Sequence, residues 1–93
     1  MEQRDGIHFL NLQEFENARS TGQMKEVGDT HYISKYGLLG LGSSREALER
    51  KIASTARTKG AKAVYICDVH NFIYKPLVTQ RFAPTILLRT SPS

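Results

Sequence analysis

Cys67, Asp68 and His70 are the residues whose types could support chemistry. A zinc site takes about four ligands from Cys, His and carboxylate side chains, and nucleophilic catalysis needs a base beside the thiol. Cys67 and Asp68 are neighbours on a predicted strand, so their side chains face opposite sides. His70 lies past the end of that strand, and His8 and His31 are remote in sequence. We therefore predict no metal, no cofactor and no enzymatic activity, and we expect Cys67 to be a small buried hydrophobic residue.

A glycine-leucine loop opens directly onto the N-terminus of the main predicted helix. Free backbone N–H groups and the helix dipole at such a position suit an anion. However, the loop lacks the lysine of a Walker motif and does not match a dinucleotide-binding fingerprint. Its leucines could instead cover the core or contact a partner. Both interpretations stay open for its residues, which are Gly37, Leu38, Leu39, Gly40, Leu41, Gly42, Ser43 and Ser44.

Basic side chains cluster in and just after this helix. They are Arg45, Arg50, Lys51, Arg57, Lys59 and Lys62, in a chain of formal net charge +4 and sequence pI near 9.5. Tyr65, Phe72 and Tyr74 could add base stacking, but Glu46 and Glu49 lie on the same helix. The pattern is therefore typical either of a solvated helix surface or of a surface that binds nucleic acid, anionic lipid or an acidic protein.

The main helix is the strongest local feature of the sequence. Ser43 with Glu46 matches a capping box, and Ser44 is an alternative N-cap. An apolar stripe at the helical repeat is formed by Leu48, Ile52 and Ala56. Gly60 stands where a left-handed residue ends a helix. These features predict a helix over about 44–59, followed directly by a strand.

Four further segments are predicted to be extended. They are 7–10, 25–36 with a turn at Gly28-Asp29, 63–69, and about 82–89, with a short additional strand at 72–74. Segment 63–69 carries apolar residues on both faces, which favours a central strand. Pro84 predicts that the start of the last strand is unpaired on one side. Asn11 and Glu14 match a capping box for a short helix at about 12–19, although residues 1–24 could equally be a flexible arm.

The predicted fold is one α+β domain over residues 1–93, with a tail at 90–93. We expect a mostly antiparallel sheet of about four strands packed against one main helix, with the short N-terminal helix as a second element. The leucines of the loop, and a last strand at a sheet edge, motivate a homodimer hypothesis. No segment has the run of about 20 apolar residues that spans a membrane, and no signal peptide is predicted at the start of this chain.

Two stretches resemble small bacterial cell-envelope domains. Residues Gly60-Ala61-Lys62-Ala63-Val64-Tyr65-Ile66 form a helix-to-strand turn that is similar to that of YdgH/BhsA/McbA-like periplasmic proteins and RcsF-type lipoproteins. Residues 36–44, 67–69 and 84–88 resemble the TRL-like bacterial lipoproteins. Together these similarities cover about residues 25–90. The RcsF-type domain uses several cysteines and this chain has one, so disulfide-based sensing does not carry over.

The resemblance implies an exported, stress-associated bacterial domain without catalytic residues. The location it implies is the periplasm or the outer membrane if a signal was removed, and the cytoplasm otherwise. We therefore predict a non-enzymatic cell-envelope protein that acts through protein or surface contacts. The alternative prediction is a small basic nucleic-acid-binding module.

Overall fold

The computed structural model describes residues 2–38, 44–74 and 78–90. Two helices and seven strands follow one another along these residues. They are β1 (Glu2–Arg4), β2 (Ile7–Leu10), α1 (Leu12–Ser20), β3 (Met24–Glu26), β4 (His31–Leu38), α2 (Arg45–Thr58), β5 (Ala63–Ile66), β6 (His70–Tyr74) and β7 (Val78–Thr90).

Strand β7 is the centre of a single mixed sheet. On one side it pairs antiparallel with β4 and then with β3. On its other side it pairs antiparallel with β6 and then with β5. The sheet continues from β5 to β2 in a parallel pair, and from β2 to β1 in an antiparallel hairpin. Four strands therefore pair with one 13-residue strand, and three of them, β3, β4 and β6, pair with no other described strand.

The predicted sheet of about four strands on one main helix is wrong. The described residues form seven strands and two helices, and the sheet is mixed because β2 and β5 run parallel. The segments α1, β3, β4 and α2 lie between these two strands in the chain, which gives the long connection that a parallel pair requires. Strands β1 and β3 have three residues each, too few for an alternating apolar pattern. The N-terminal segment is not an arm, since β1, β2 and α1 belong to the fold.

Pro84 lies in the middle of β7 and not near its start. On one side it faces Tyr32 of β4. On its other side it lies between the residues that pair with β6 and those that pair with β5, where the chain of Cys67 to Val69 is not a strand. The Cys67 N–H donates to the Pro84 carbonyl at 2.9 Å. The break between β5 and β6 thus falls where proline has no N–H to donate.

The placement of β7 also removes one reason for the predicted homodimer. That hypothesis placed the last strand at a sheet edge, whereas β7 is paired on both sides. The other reason, the leucine loop, falls mostly on residues 39–43, which lie outside the described residues.

Both helices begin at N-caps that the sequence predicts, and α2 ends at the predicted glycine. The Glu14 N–H donates to Asn11 Oδ1 at 2.8 Å and the Asn11 N–H donates to Glu14 Oε1 at 3.0 Å, which confirms the capping box of α1. Ser44 is the N-cap of α2, since its Oγ accepts from the Ala47 N–H at 3.1 Å; Ser43 lies outside the described residues. After α2, Gly60 has a φ of 80°, which a residue without a Cβ adopts at no steric cost.

The two helices lie on opposite faces of the sheet. The predicted stripe of α2 is confirmed, because Leu48, Ile52 and Ala56 are fully buried in one cluster with Val64 and Leu87. On the other face, Phe15 of α1 lies in a second cluster, with Leu10, Ala63 and Leu88 as its other buried members. Successive strand residues fall in different clusters, since Val64 and Leu87 belong to the first and Ala63 and Leu88 to the second. The two clusters therefore lie on opposite faces of the sheet.

Helix α1 covers only one end of its face. It packs against β2 and β3, whereas β4, β6 and the first half of β7 continue beyond it as a three-stranded extension, defined as residues 32–38, 70–74 and 78–82. The molecule is consequently elongated, at 51 × 22 × 20 Å. Its radius of gyration is 14.1 Å, against about 12 Å for a compact domain of this length.

Candidate binding surfaces

The first candidate surface is the face of the extension that lies on the same side of the sheet as α1. Register fixes its membership, because residues that are paired across strands share a face. Phe82 of β7 is paired with Ser34 of β4 and with His70 of β6. We call this surface the aromatic face, and its residues are Tyr32, Ser34, Tyr36, His70, Phe72, Val78, Gln80 and Phe82.

Aromatic rings cross this face from one strand to the next. Tyr32 stacks on Phe82 with ring centroids 5.8 Å apart and planes 7° from parallel. The His70 ring lies 6.0 Å from Phe82 and 6.4 Å from Phe72. The Gln80 side-chain amide donates to Ser34 Oγ at 3.0 Å beside this row. These contacts place the rings in a continuous row over β4, β7 and β6, in which the His70 ring is tilted by 33° against Phe82 and by 31° against Phe72.

The aromatic face is open to solvent. The exposed fraction is 67% for Tyr32, 59% for Tyr36 and 45% for Phe72. Among the described residues, this face carries no Lys, Arg, Asp or Glu side chain. Of the three aromatic residues predicted for stacking, Phe72 lies here, whereas Tyr65 is half-buried and stacks on Phe15 at 4.5 Å. The Tyr74 side chain lies outside the described part of the structure.

The predicted glycine-leucine loop is described only at its two ends. Gly37 and Leu38 end β4, and the Gly37 carbonyl accepts from Thr79 Oγ1 at 3.4 Å. Ser44 uses its hydroxyl oxygen to cap α2. The residues between them, Leu39, Gly40, Leu41, Gly42 and Ser43, lie outside the described residues, so the predicted anion or partner contact of this loop stays a prediction.

The predicted basic surface divides into two groups. At the N-terminal half of α2 the cations are engaged: Arg50 contacts Glu46 at 2.7 Å and Arg45 contacts Glu49 at 3.8 Å. The Lys51 ammonium donates to the Ser34 carbonyl of β4. Arg57, Lys59 and Lys62, at and after the C-terminal end of α2, are exposed and form no ion pair within the described ranges.

Two strand residues add to this second group. Lys25 of β3 lies directly opposite Arg89 of β7, and both side chains are exposed. The N–H of Lys62 donates to the Leu88 carbonyl at 2.8 Å, which places Lys62 beside Arg89. We call these five cations, Lys25, Arg57, Lys59, Lys62 and Arg89, the basic end. Sequence reasoning missed Lys25 and Arg89 because only the register of β3 on β7 brings them together.

Cys67 is exposed, so the prediction of a buried residue is wrong. Burial of part of the thiol and the nearby carboxylates of Asp68 and Glu26 raise the pKa of Cys67, which is the opposite of what an activated nucleophile requires.

The described residues after Cys67 do not form a metal site with it. Asp68 Oδ2 lies 3.4 Å from His70 Nε2. No group of three or more His, Cys, Asp or Glu side chains that could hold a metal occurs among residues 2–38, 44–74 and 78–90.

A cleft of about 390 Å³ lies where the parallel strands β2 and β5 end. Such a position often binds ligands in α/β sheets. Its charged side chains are already engaged, however: Arg45 contacts Glu49, and Glu14 caps α1 through Asn11. The charged side chains of the cleft therefore cap α1 and stabilise the first turns of α2, and we assign no ligand to the cleft.

Comparison with known protein families, curated proteins and solved structures finds no match to this chain. The resemblance of residues 25–90 to bacterial envelope domains accordingly stays a prediction from those residues. Of the helices in the described part of the chain, none combines the length and the apolar character needed to cross a membrane.

Proposed function

We propose that this protein is a non-enzymatic binding protein whose aromatic face contacts a partner protein. The observation that carries the proposal is a row of rings, the exposed Tyr32, His70 and Phe72 with the half-buried Phe82 between them, on a sheet face that no described helix covers. Aromatic side chains bring a large apolar area with little loss of side-chain entropy, and Tyr and Phe are enriched at protein interfaces.

The neutrality of this face supports a protein partner over a phosphate-bearing one. Nucleic acids bind chiefly through cations that meet phosphates, and the described residues of the aromatic face include no Lys or Arg. Gln80, Ser34 and the tyrosine hydroxyls can instead donate and accept hydrogen bonds at the rim of an apolar contact. The complementary surface is therefore apolar at its centre and uncharged.

Location in the bacterial cell envelope belongs to the same proposal and rests on the sequence resemblance alone. Fractionation of cells that express the full-length gene product, followed by immunoblotting, tests it. Recovery with periplasmic or outer-membrane markers is the expected result, and recovery only with cytoplasmic markers contradicts it.

Site-specific photocrosslinking tests the binding surface. A photoreactive phenylalanine analogue at Tyr36 is expected to give a discrete crosslinked protein in cells, because this ring is 59% exposed on the aromatic face. The matched control places the same analogue at Gln13, an exposed position on α1. The partner identified by mass spectrometry is then purified and titrated calorimetrically with the wild-type chain and with a Tyr32→Ser/Phe72→Ser variant.

At least a tenfold weaker affinity of the double variant supports the proposal, since the loss of interface aromatic residues commonly costs about 2 kcal/mol or more. Equal crosslinking from Gln13, or an unchanged affinity of the double variant, overturns it. A crosslink to a second copy of this chain identifies the partner as the protein itself.

A further inference from the structure

We propose that the basic end is a second binding site, which takes the phosphate backbone of a nucleic acid. The site lies apart from the aromatic face, on β3, on the last residues of β7 and around the end of α2. Three of its cations lie side by side on neighbouring segments of the sheet, as the strand pairing shows. Lys25 is paired with Arg89, and Lys62 is hydrogen-bonded to the residue before Arg89.

The charge at this end is not neutralised by the protein. All five side chains are exposed, and within the described part of the chain none forms an ion pair with a carboxylate. The other half of α2 behaves differently, because Glu46 and Glu49 contact Arg4, Arg45 and Arg50 there. The basic end thus carries five cations without a carboxylate partner among the described residues, in contrast to the N-terminal half of α2, and Lys35 and Arg81 form a further cross-strand pair of cations in the extension.

The Lys25–Arg89 pair places two like charges directly opposite each other on β3 and β7. Like charges directly opposite each other on neighbouring strands destabilise a sheet. A phosphate group placed between the two side chains would replace this repulsion with two charge-assisted contacts. A bound anion would therefore stabilise this pair of cations more than it would stabilise an isolated surface cation.

The surroundings favour a nucleic acid over a membrane. Surfaces that bind bilayers combine cations with apolar side chains that enter the acyl region. The exposed large apolar residues of the described chain are Leu12, Tyr32, Tyr36, Phe72, Ile73 and Val78, and none belongs to the basic end. Its exposed neighbours along the chain are Glu26, Thr58, Gly60 and Thr90.

Fluorescence anisotropy with a labelled single-stranded oligothymidine in a KCl series tests the site. The wild-type chain is expected to bind with a logarithmic affinity that falls linearly with the logarithm of salt concentration, with a slope of about −0.7 per phosphate contacted. The variant Lys25→Gln/Lys62→Gln/Arg89→Gln is expected to bind at least tenfold more weakly at low salt. Its slope should be smaller in magnitude by about 2, because three phosphate contacts are lost.

A charge-matched control separates the site from the net charge of the molecule. The variant Arg4→Gln/Arg45→Gln/Arg50→Gln lowers the formal net charge from +4 by the same three units, but it changes cations that contact Glu46 or Glu49. It is expected to keep the wild-type slope. Circular dichroism and the urea midpoint verify that both variants are folded. If the first triple variant fails to fold, Lys62→Gln and Arg89→Gln are compared singly with Arg50→Gln, with a slope change of about 0.7 expected for each.

Three results overturn the proposal. They are no binding of the oligonucleotide by the wild-type chain, equal losses in the two triple variants, and binding to phosphatidylserine vesicles without binding to the oligonucleotide. The Tyr32→Ser/Phe72→Ser variant should bind the oligonucleotide as the wild type does. Failure of either proposed site can therefore be recognised independently of the other.

Discussion

At the scale of single residues, the capping box of α1 makes stability depend on pH. The hydrogen bond from the Asn11 backbone N–H lowers the pKa of Glu14 below its ordinary value of 4.5. Between the two pKa values the unfolded chain binds more protons than the folded one, so stability rises with pH there. The contribution is present above the ordinary glutamate pKa and is lost as the pH falls through the lowered one.

The variant Glu14→Gln removes this dependence. We expect the wild type to be more stable than Glu14→Gln at neutral pH, and we expect the difference to vanish at acidic pH because both side chains are then uncharged. Urea unfolding at a series of pH values measures it. A Glu16→Gln variant, on the exposed side of the same helix, is the control, and an equal pH dependence in both variants contradicts the prediction.

Residue-scale features were predictable where their partners are close in sequence. Asn11 and Glu14 are three positions apart, Ser44 caps an N–H three residues later, and Gly60 ends its own helix. The exposure of Cys67 could not be predicted in this way. It follows from the end of β5 at Ile66, which is set by the pairing of distant strands.

At the scale of elements, β4 has an eight-residue outer edge along which no described strand pairs. The Gly37 carbonyl faces β7, where it accepts from Thr79. Because carbonyls alternate along a strand, that of Ser34 points away from β7, and there it accepts from the Lys51 ammonium of α2. A lysine at an exposed edge is a known protection against pairing with another chain.

Loss of this protection should promote self-association. In the variant Lys51→Ala the Ser34 carbonyl becomes available to a second β4, and we expect the association constant from sedimentation velocity to rise roughly tenfold, because a hydrogen bond to a charged donor is worth about 1.5 kcal/mol. The Lys59→Ala variant has the same charge change without this hydrogen bond. Equal behaviour of the two variants would show that Lys51 does not guard the edge.

The elements themselves were predicted better than their arrangement. The helix at about 44–59 and the extended segments are visible in the apolar pattern, which depends on neighbours in sequence. The parallel pair of β2 and β5, and the passage of β7 through Pro84, depend on contacts between distant segments. For the same reason the aromatic face could not be foreseen, since Tyr32, Phe72 and Phe82 lie up to 50 positions apart in the chain.

At the scale of the whole molecule, stability should be unequal along its length. Ile52 is fully buried between α2 and the sheet, whereas Ile73 on the extension is 81% exposed. We expect Ile52→Ala to lower the free energy of unfolding by about 2–5 kcal/mol, a large part of the roughly 5–14 kcal/mol that a chain of this size has. Urea unfolding measures the loss.

The matched variant Ile73→Ala should change the free energy of unfolding by less than about 0.5 kcal/mol. Hydrogen exchange should also be faster at residues 70–74 than at 85–88, because the extension has a helix on at most one face. A destabilisation by Ile73→Ala as large as that by Ile52→Ala would show that the extension is covered by another molecule in solution.

The central position of β7 has a consequence for synthesis of the chain. Strands β3, β4, β5 and β6 all leave the ribosome before residues 78–90 do, and each finds a hydrogen-bonded neighbour in β7. Until then these four strands have unpaired edges and exposed apolar faces, a state that is prone to aggregation. Contacts between segments so far apart in sequence also form slowly. A nascent chain paused just before β7 is therefore the form of this protein that most needs a chaperone.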